Sequence, residues 1–317
     1  MIKPSLPSSA VNYSPASTVN CRNFAALAIK NPLPREPKFD EASHTYTYNH
    51  KRVPVSVTGV KSRVFEEPEF NARLIIRKNL ASWRNNPGSK YHATARDNDD
   101  ETSERLIAQM WNDATSLGTN LHLRAEGHLN GNAMPDDGQT DGVWPQLQKT
   151  LEALEEVGAE PFRTELSLVW RDSTMTDALC AGQLDALFKD QDGEYTICDF
   201  KCTDKDLSED CIPFKGKRVT RGPMKGNLCN EFHKYSLQLS MYCVMLEQQC
   251  GIKVHEENRL VIRAHPSLPQ AEIVGMKCFD AEARKILDDL PSMFPDKYPL
   301  AERESLPKRR RNNNDSE

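Results

Sequence analysis

The segment from residue 182 to residue 201 places charged side chains where a folded chain normally buries apolar ones. It is predicted to form two strands joined by a tight turn at Asp-Gln-Asp-Gly, residues 190–193. The first strand carries Asp185 within an apolar run, and the second ends in Asp199 and Lys201 with one residue between them. Such groups are costly to bury in a core sheet unless they are paired or bind a ligand. The segment therefore predicts a binding site for a divalent metal ion.

Alternation along the second strand separates the charged side chains from the apolar ones. Successive strand residues point to opposite faces of a sheet, so Asp199 and Lys201 share one face. Cys198, Phe200 and Cys202 share the other face. We therefore interpret the two cysteines as core residues and the acid and the lysine as the chemical pair.

A long helical pattern from Thr102 to Leu129 contains a second candidate for metal binding. His122 and Glu126 are four residues apart and lie on one face of this helix. A histidine and a carboxylate one turn apart suit a metal ion, although such pairs also arise by chance. Gly118 costs the helix about 1 kcal/mol relative to alanine, and a close approach by another element would account for it.

The other patterns along the chain mix strands with helices. They predict a hairpin over 44–58, helices over 69–83, 143–157, 231–250 and from 280, a loop over 85–100, and strands over 163–170, 259–264 and 271–276. Glu165, near a strand start, either lies near the site or pairs with a structural partner. The arrangement predicts one α/β domain with a mixed central β-sheet flanked by helices.

The two ends of the chain differ in composition from its middle. Residues 1–38 are rich in Ser, Pro and Asn and are predicted to be a disordered tail, with an organellar presequence as the alternative. The polar segment 301–317 is also predicted to be a disordered tail, and its basic cluster at 307–311 suits a nuclear-import signal or a nonspecific DNA contact. No apolar run is long enough to span a bilayer. We expect an intracellular protein without a membrane partner, with nucleus and mitochondrion both open.

Nine cysteines are scattered along the chain without a C-x-x-C pair. That pattern argues against zinc ribbons, redox motifs and a disulfide scaffold, and it fits a reducing compartment. The set Cys21, Cys243, Cys250 and Cys278 has the wrong spacing for the familiar iron–sulfur patterns, so no iron–sulfur cluster is expected.

Residues 213–230 form a local basic segment in a chain whose formal net charge is -5. The segment has no acidic residue, and its basic residues are Lys215, Lys217, Arg218, Arg221 and Lys225. It follows directly after the strand that carries Asp199. We interpret it as an arm that tracks nucleic-acid phosphates, with a solvated loop as the alternative.

Four separated pieces of this sequence resemble the PD-(D/E)XK nucleases, in the RecB-type exonuclease branch. In chain order they are Gly118-Thr119-x-x-His122, Gly182-x-x-Asp185, Asp199-x-Lys201 and Gln238-x-x-x-Tyr242. One piece alone is weak, whereas four in this order on matching elements are specific. The order and the leading hairpin look similar to the mitochondrial genome maintenance exonucleases and related viral and phage exonucleases. The resemblance implies a restriction-endonuclease-like core over residues 39–300.

The resemblance also implies a metal site in this chain. His122, Asp185 and Asp199 would bind Mg²⁺ or Mn²⁺, and the backbone carbonyl of Phe200 would complete the site. Oxygen ligands suit Mg²⁺, and a single imidazole suits Mn²⁺ as a substitute. Glu126 goes beyond the minimal motif and is a candidate either to bind a second metal ion or to support a ligand of the first.

The remaining matched residues imply the chemistry and the partner. Lys201 would orient and help deprotonate the attacking water, together with the carboxylates, while Gln238 and Tyr242 would buttress the site and contact DNA. The chemistry of a lysine beside two carboxylates and a metal ion allows two roles, a charge stabiliser or a proton shuttle. The implied activity is a metal-dependent DNA exonuclease that acts on ends or on single-stranded or flap DNA, in replication, repair or recombination. The alternatives are a catalytically silent DNA-binding module of the same fold and a restriction-type endonuclease.

Overall fold

The computed structural model describes residues 24–34, 36–41, 43–132, 138, 140 and 142–298 of the chain. Cys21, the segment 1–23 and the tail with the basic cluster at 307–311 lie outside the described residues. No helix within the described part is long and apolar enough to cross a membrane.

Helices and strands occur in runs along the described chain, with strands between residues 38 and 56 followed by helices between 57 and 156 and then by strands between 160 and 202. The helices are α1 (Ala26–Lys30), α2 (Val57–Val64), α3 (Ala72–Arg84), α4 (His92–Asp97), α5 (Asp100–Leu129), α6 (Trp144–Glu156), α7 (Glu231–Cys250), α8 (Asp280–Asp288) and α9 (Leu290–Met293). The strands are β1 (Lys38–Asp40), β2 (Thr45–Tyr48), β3 (Lys51–Arg52), β4 (Val55–Ser56), β5 (Glu160–Arg171), β6 (Ala178–Lys189), β7 (Tyr195–Cys202), β8 (Arg259–Ala264) and β9 (Glu272–Gly275).

Six of these strands form the central sheet. Its hydrogen-bonded path runs β4-β6-β7-β8-β9, and β5 also pairs with β6. The β4–β6 and β7–β8 pairs are parallel, whereas β5–β6, β6–β7 and β8–β9 are antiparallel. The predicted α/β fold with a mixed central sheet flanked by helices is confirmed, and the hairpin of residues 182–201 lies at its centre as β6 and β7.

Helices cover both faces of this sheet. On one face, Leu121 of α5 shares a core cluster with Cys198 and Phe200, and Cys202 packs against its margin. On the other face, helices α7 and α8 pack with alternate strand residues such as Ile197. The interpretation of the two β7 cysteines as packing residues is confirmed, because both lie on the α5 side of the sheet.

Helix α7 fills the interior on the opposite side, with 15 of its 20 residues buried. It begins after Asn230, whose side chain accepts a hydrogen bond from the backbone N–H of His233. It ends at Gly251, which has a φ of 69°. A left-handed glycine after the last turn is a common helix stop, so the predicted end of this helix is confirmed.

The folded part of the chain begins earlier than the predicted tail boundary at residue 38. Helix α1 buries Leu27, whose backbone N–H donates to Asn130 Oδ1 at 3.0 Å. Asn31 Nδ2 donates to the carbonyl oxygen of Phe162 at 2.9 Å. These contacts tie residues 24–34 to α5 and β5, so the prediction of a disordered tail up to residue 38 is wrong for this part.

Two local predictions near the N-terminal side also need correction. Strands β1, β2 and β3 form a small antiparallel sheet. The last part of the predicted hairpin, from Val55 on, does not belong to this sheet. Val55–Ser56 joins the central sheet, and α2 begins at once because Ser56 Oγ accepts the N–H of Gly59 at 3.1 Å. The predicted loop 85–100 contains α4, which buries Ala95 against α3 and α5.

Gly182 allows helix α7 to approach strand β6 very closely. A Cβ atom at this position would lie 2.7 Å from Tyr242 Cε1 and 2.7 Å from Val57 Cγ2. Real Cβ atoms are not found at such distances, and both neighbours are fixed in the core. The glycine is therefore required by the packing of α7 and α2 on β6.

We expect Gly182→Ala to lower the free energy of unfolding by about 1–3 kcal/mol, because the added methyl group overpacks the core. Urea denaturation followed by circular dichroism measures the change. Gly275→Ala is the matched control, since no atom lies within 4 Å of its added Cβ, and it should change stability by less than about 0.5 kcal/mol. Equal stability of the Gly182 variant and wild type would contradict the close approach.

Candidate metal centre

Three side chains from three elements converge on β6. Asp185 is buried on β6, and the pairing of Thr164 with Ala186 on the neighbouring strand places Glu165 beside it. His122 of α5 has its Nδ1 atom 3.5 Å from Asp185 Oδ2. One ligand atom each from His122, Glu165 and Asp185 lies within 4.8 Å of the other two. We call these three residues the acidic triad.

Glu165 has an unusual backbone conformation for a residue within a strand. Its φ is 44°, in the left-handed region that residues other than glycine seldom adopt. The Nε2 atom of Gln183 donates to the Glu165 carbonyl oxygen at 3.0 Å and holds this conformation. Strained backbone concentrates at functional sites, which favours the reading of Glu165 as a site residue over a structural partner.

Asp199 lies next to the acidic triad and has partners of its own. It is 2% exposed, accepts a hydrogen bond from Gln238 Nε2 at 3.1 Å, and forms an ion pair with Lys201. Lys201 Nζ also donates to the carbonyl oxygen of Phe200 at 3.1 Å. The predicted ligands Asp199 and Phe200 therefore contact Lys201, whereas His122 and Asp185 lie in the triad.

The predicted ligand Glu126 is not part of the acidic triad. It is half-buried on the same helical face as His122, as expected from its spacing, but its carboxylate does not join the three converging groups. Burial and then the charge of Glu41 raise its pKa to about 7. The close approach suggested for Gly118 is not needed, because an added Cβ would lie 3.9 Å from Cys202 Cβ.

The ionisable groups of the centre shift one another strongly. Burial and the neighbouring charge of Asp185 raise the pKa of Glu165 to about 9. Burial also raises the pKa of Asp185, against the opposing effect of His122. For Lys201 burial lowers the pKa, but the carboxylates of Asp199 and Asp185 outweigh it and the pKa is raised.

These shifts show an excess of acid over base at the centre. Of the three carboxyl groups Glu165, Asp185 and Asp199, the last forms an ion pair with Lys201, and the first two lie in the acidic triad with His122. Buried carboxylates are stable only when paired or when they coordinate a metal. The donor set of carboxylate oxygens and one imidazole fits Mg²⁺ or Mn²⁺.

Gln238 and Tyr242 support the centre from helix α7. Both side chains are buried, Gln238 against Asp199 and Tyr242 against Gly182. These contacts fit the expected buttressing role of the two residues. Tyr242 is 3% exposed and presents almost no surface, and the expected contact of the two residues with DNA remains a prediction.

The basic segment after β7 is anchored to the fold rather than loose. Val219 and Met224 are buried, and Lys217 Nζ donates to the carbonyl oxygens of Phe65 and Glu66 at 3.1 and 2.8 Å. All five basic side chains, Lys215, Lys217, Arg218, Arg221 and Lys225, are exposed. The segment is thus a fixed arm beside the end of α2, and its contact with nucleic acid remains a prediction.

Lys61 and Tyr235 also belong to the centre and were not identified from the sequence. Lys61 Nζ donates to Gln238 Oε1 at 2.6 Å, and both Lys61 and Lys201 lie over the Tyr235 ring. Lys61 follows the buried Val57 by four residues. The sequence indicated Lys61 in one way, because the residue lies on the same helical face as buried apolar residues of a short helix.

No protein-family model matches the sequence, and no curated protein is similar to it. Among solved structures, a chain described as the crystal structure of SSO0001 is 13% identical and has a TM-score of 0.30. The match covers 69% of this chain and 85% of that chain. At that TM-score the match carries no argument about function.

We expect the acidic triad to bind Mn²⁺ in the isolated protein. His122→Ala, Glu165→Gln and Asp185→Asn should each weaken Mn²⁺ binding at least about tenfold, since each removes a direct ligand. Titration of free Mn²⁺ by electron paramagnetic resonance measures the affinity. Glu126→Gln should change it by less than about threefold, because Glu126 lies outside the triad; an equal loss in this variant would restore Glu126 as a ligand.

The raised pKa of Glu165 gives a second expectation, on pH. A carboxyl group must lose its proton before it binds a metal ion, and with a pKa of about 9 Glu165 is protonated at neutral pH. Mn²⁺ affinity should therefore rise from about pH 6 to about pH 8.5, with proton release on binding. Calorimetry in buffers of different ionisation enthalpy measures the protons. Glu165→Gln should release fewer protons than wild type, and identical release would contradict this role.

Proposed function

We propose that this protein is a metal-dependent DNA exonuclease that hydrolyses phosphodiester bonds at DNA ends or in single-stranded or flap DNA. The observation that carries the proposal is the convergence of the acidic triad with the Asp199–Lys201 pair. Carboxylates that hold a divalent metal ion beside a fixed lysine are groups that can catalyse phosphodiester hydrolysis. The resemblance of the sequence to PD-(D/E)XK nucleases agrees with this reading.

The residues that would hold the cation are His122, Glu165 and Asp185, with Asp199 adjoining them. A Mg²⁺ or Mn²⁺ ion held by these residues would polarise a phosphoryl oxygen and lower the pKa of water, so that a nucleophile would be available near neutral pH. The backbone N–H of Phe200 donates to Asp185 Oδ2 at 2.6 Å and fixes the orientation of that carboxylate. The chain thus supplies an oriented donor set of oxygen and nitrogen.

Lys201 would act as a fixed positive charge rather than as a base. Its pKa is raised because the carboxylates of Asp199 and Asp185 outweigh the effect of burial, so it carries its proton at neutral pH. An ammonium in this position stabilises negative charge that develops on the phosphoryl oxygens. This is the charge-stabilising role of the two that the sequence left open for Lys201, and any proton of the attacking water would pass to a carboxylate.

The arm of residues 213–230 supports nucleic acid as the substrate. Its five exposed basic side chains form a charged surface on an arm fixed to the end of α2. Lysine and arginine on a fixed surface attract the phosphate backbone without reading bases. The arm favours DNA or another polyanion over a small phosphate ester.

The proposal predicts cleavage of end-labelled oligonucleotides by the purified protein with Mg²⁺. Asp199→Ala and Lys201→Ala should lower the rate by roughly 10²–10⁴-fold, since each removes a group that acts on the reacting phosphate. Gel analysis of labelled single- and double-stranded DNA measures the rate, polarity and strandedness together. Lys51→Ala is the matched control, because Lys51 pairs with Asp177 at the surface.

The outcomes separate the competing functions. If the wild-type protein cleaves DNA no faster than the Asp199→Ala variant, the result would indicate a catalytically silent DNA-binding module of this fold. Cutting of closed circular DNA would indicate a restriction-type endonuclease, while a requirement for free ends would support the exonuclease.

A further inference from the structure

Lys61 reaches the candidate centre from helix α2, through its contact with Gln238. Its ammonium donates to Gln238 Oε1 at 2.6 Å, and the amide nitrogen of the same glutamine donates to Asp199. The side chain is half-buried and keeps some accessible surface. The side-chain amide of Gln238 therefore links Lys61 to Asp199, the residue that forms an ion pair with Lys201.

The charge of Lys61 is not matched by a carboxylate in contact with it. Glu67 and Glu231 are both taken by Lys234, at 2.7 and 3.1 Å. Asp199 is paired with Lys201. Within the described part of the chain, Lys61 thus has a neutral amide as its hydrogen-bond acceptor and no carboxylate at ion-pair distance.

A second ammonium lies close to Lys61 and opposes it. The Nζ atoms of Lys61 and Lys201 are 5.4 and 5.3 Å from the centroid of the Tyr235 ring. The ring attracts both cations but does not neutralise them. Burial and then the charge of Lys201 lower the pKa of Lys61 to about 8. Two half-buried cations on one ring repel each other, and an anion that contacts both would relieve that repulsion.

We propose that Lys61 binds a phosphate oxygen of the nucleic-acid backbone, beside the phosphate on which Lys201 acts. The inference rests on the proposed function and adds a binding residue to it. A lysine ammonium is a point charge that suits phosphate oxygens, and the phosphate supplies the negative charge that the contacts of Lys61 lack. The same phosphate would also reduce the repulsion between the ammonium groups of Lys61 and Lys201.

The basic arm provides a reason to expect a backbone rather than an isolated phosphate. Helix α2, which carries Lys61, ends at Val64, and Lys217 of the arm donates to the next two carbonyl groups. Lys61 and the arm are thus attached to the same short segment. A chain of phosphates could contact the arm and Lys61 together, whereas a single phosphate could contact one of them.

The test measures binding apart from cleavage. A fluorescein-labelled thymidine oligonucleotide is titrated with protein in EDTA, and its anisotropy gives the dissociation constant at several salt concentrations. Lys61→Gln should weaken binding about tenfold and lower the magnitude of the salt slope by about one. Lys61→Arg, which keeps the charge, should bind within about threefold of wild type. Lys253→Gln, an exposed lysine beyond the end of α7, controls for the loss of one charge.

A second measurement uses the unaltered protein, in case Lys61→Gln does not fold. Lysines are acetylated with a reactive ester and quantified by mass spectrometry with and without the oligonucleotide. Bound oligonucleotide should reduce acetylation of Lys61 several-fold and leave Lys253 unchanged. Equal acetylation of Lys61 with and without saturating oligonucleotide would overturn the proposal.

The outcomes distinguish this proposal from the nuclease itself. Wild-type cleavage together with unchanged affinity of Lys61→Gln overturns the phosphate contact and leaves Lys61 as a residue that positions Gln238. If the wild-type protein binds the oligonucleotide, the Lys61→Gln variant binds it more weakly, and neither cleaves DNA, the phosphate contact is supported and the proposed nuclease activity is overturned. An absence of wild-type oligonucleotide binding in either measurement overturns the contact.

Discussion

The structure depends on a local excess of buried acid at the centre of its sheet. Asp185 and Asp199 lie on neighbouring strands, and Glu165 joins them from the next strand, while Lys201 is the cation in contact. Burial of charge is expensive, so the surrounding chain supplies polar contacts in compensation. The backbone N–H of Phe200 and the amide of Gln238 are two of these contacts. The remaining excess is what makes a divalent cation a fitting ligand.

Close packing of helix α7 makes this arrangement possible. Gly182 has no side chain, so the ring of Tyr242 can lie directly on strand β6, and Gln238 one turn earlier reaches Asp199. The same helix is buried along most of its length, which fixes the position of the amide. The stability of the core and the geometry of the site are therefore coupled through one helix. A substitution that displaces α7 would disturb the orientation of Asp199 as well as the packing.

The sequence could predict those features that are set by local periodicity. The β6–β7 hairpin, the face shared by Asp199 and Lys201, and the boundaries of α7 follow from alternation, helical spacing and a terminal glycine. Glu165 became a site residue only through the register of β5 against β6, which is a long-range pairing. Lys61 required the packing of α2 on α7. Neither contact leaves a periodic signal, so both could be described only from the tertiary structure.

Two lysines on the same ring have different environments, and this difference separates what each can do. Lys201 is held by the carboxylate of Asp199, so its charge is largely balanced before any substrate arrives. Lys61 is held by a neutral amide, so its charge is balanced only by more distant groups. A polyanionic substrate adds negative charge to a site that already has an excess of acid. Binding it is therefore favoured by positive charge beyond Lys201, and Lys61, which is linked to Asp199 through the Gln238 amide, would supply that charge.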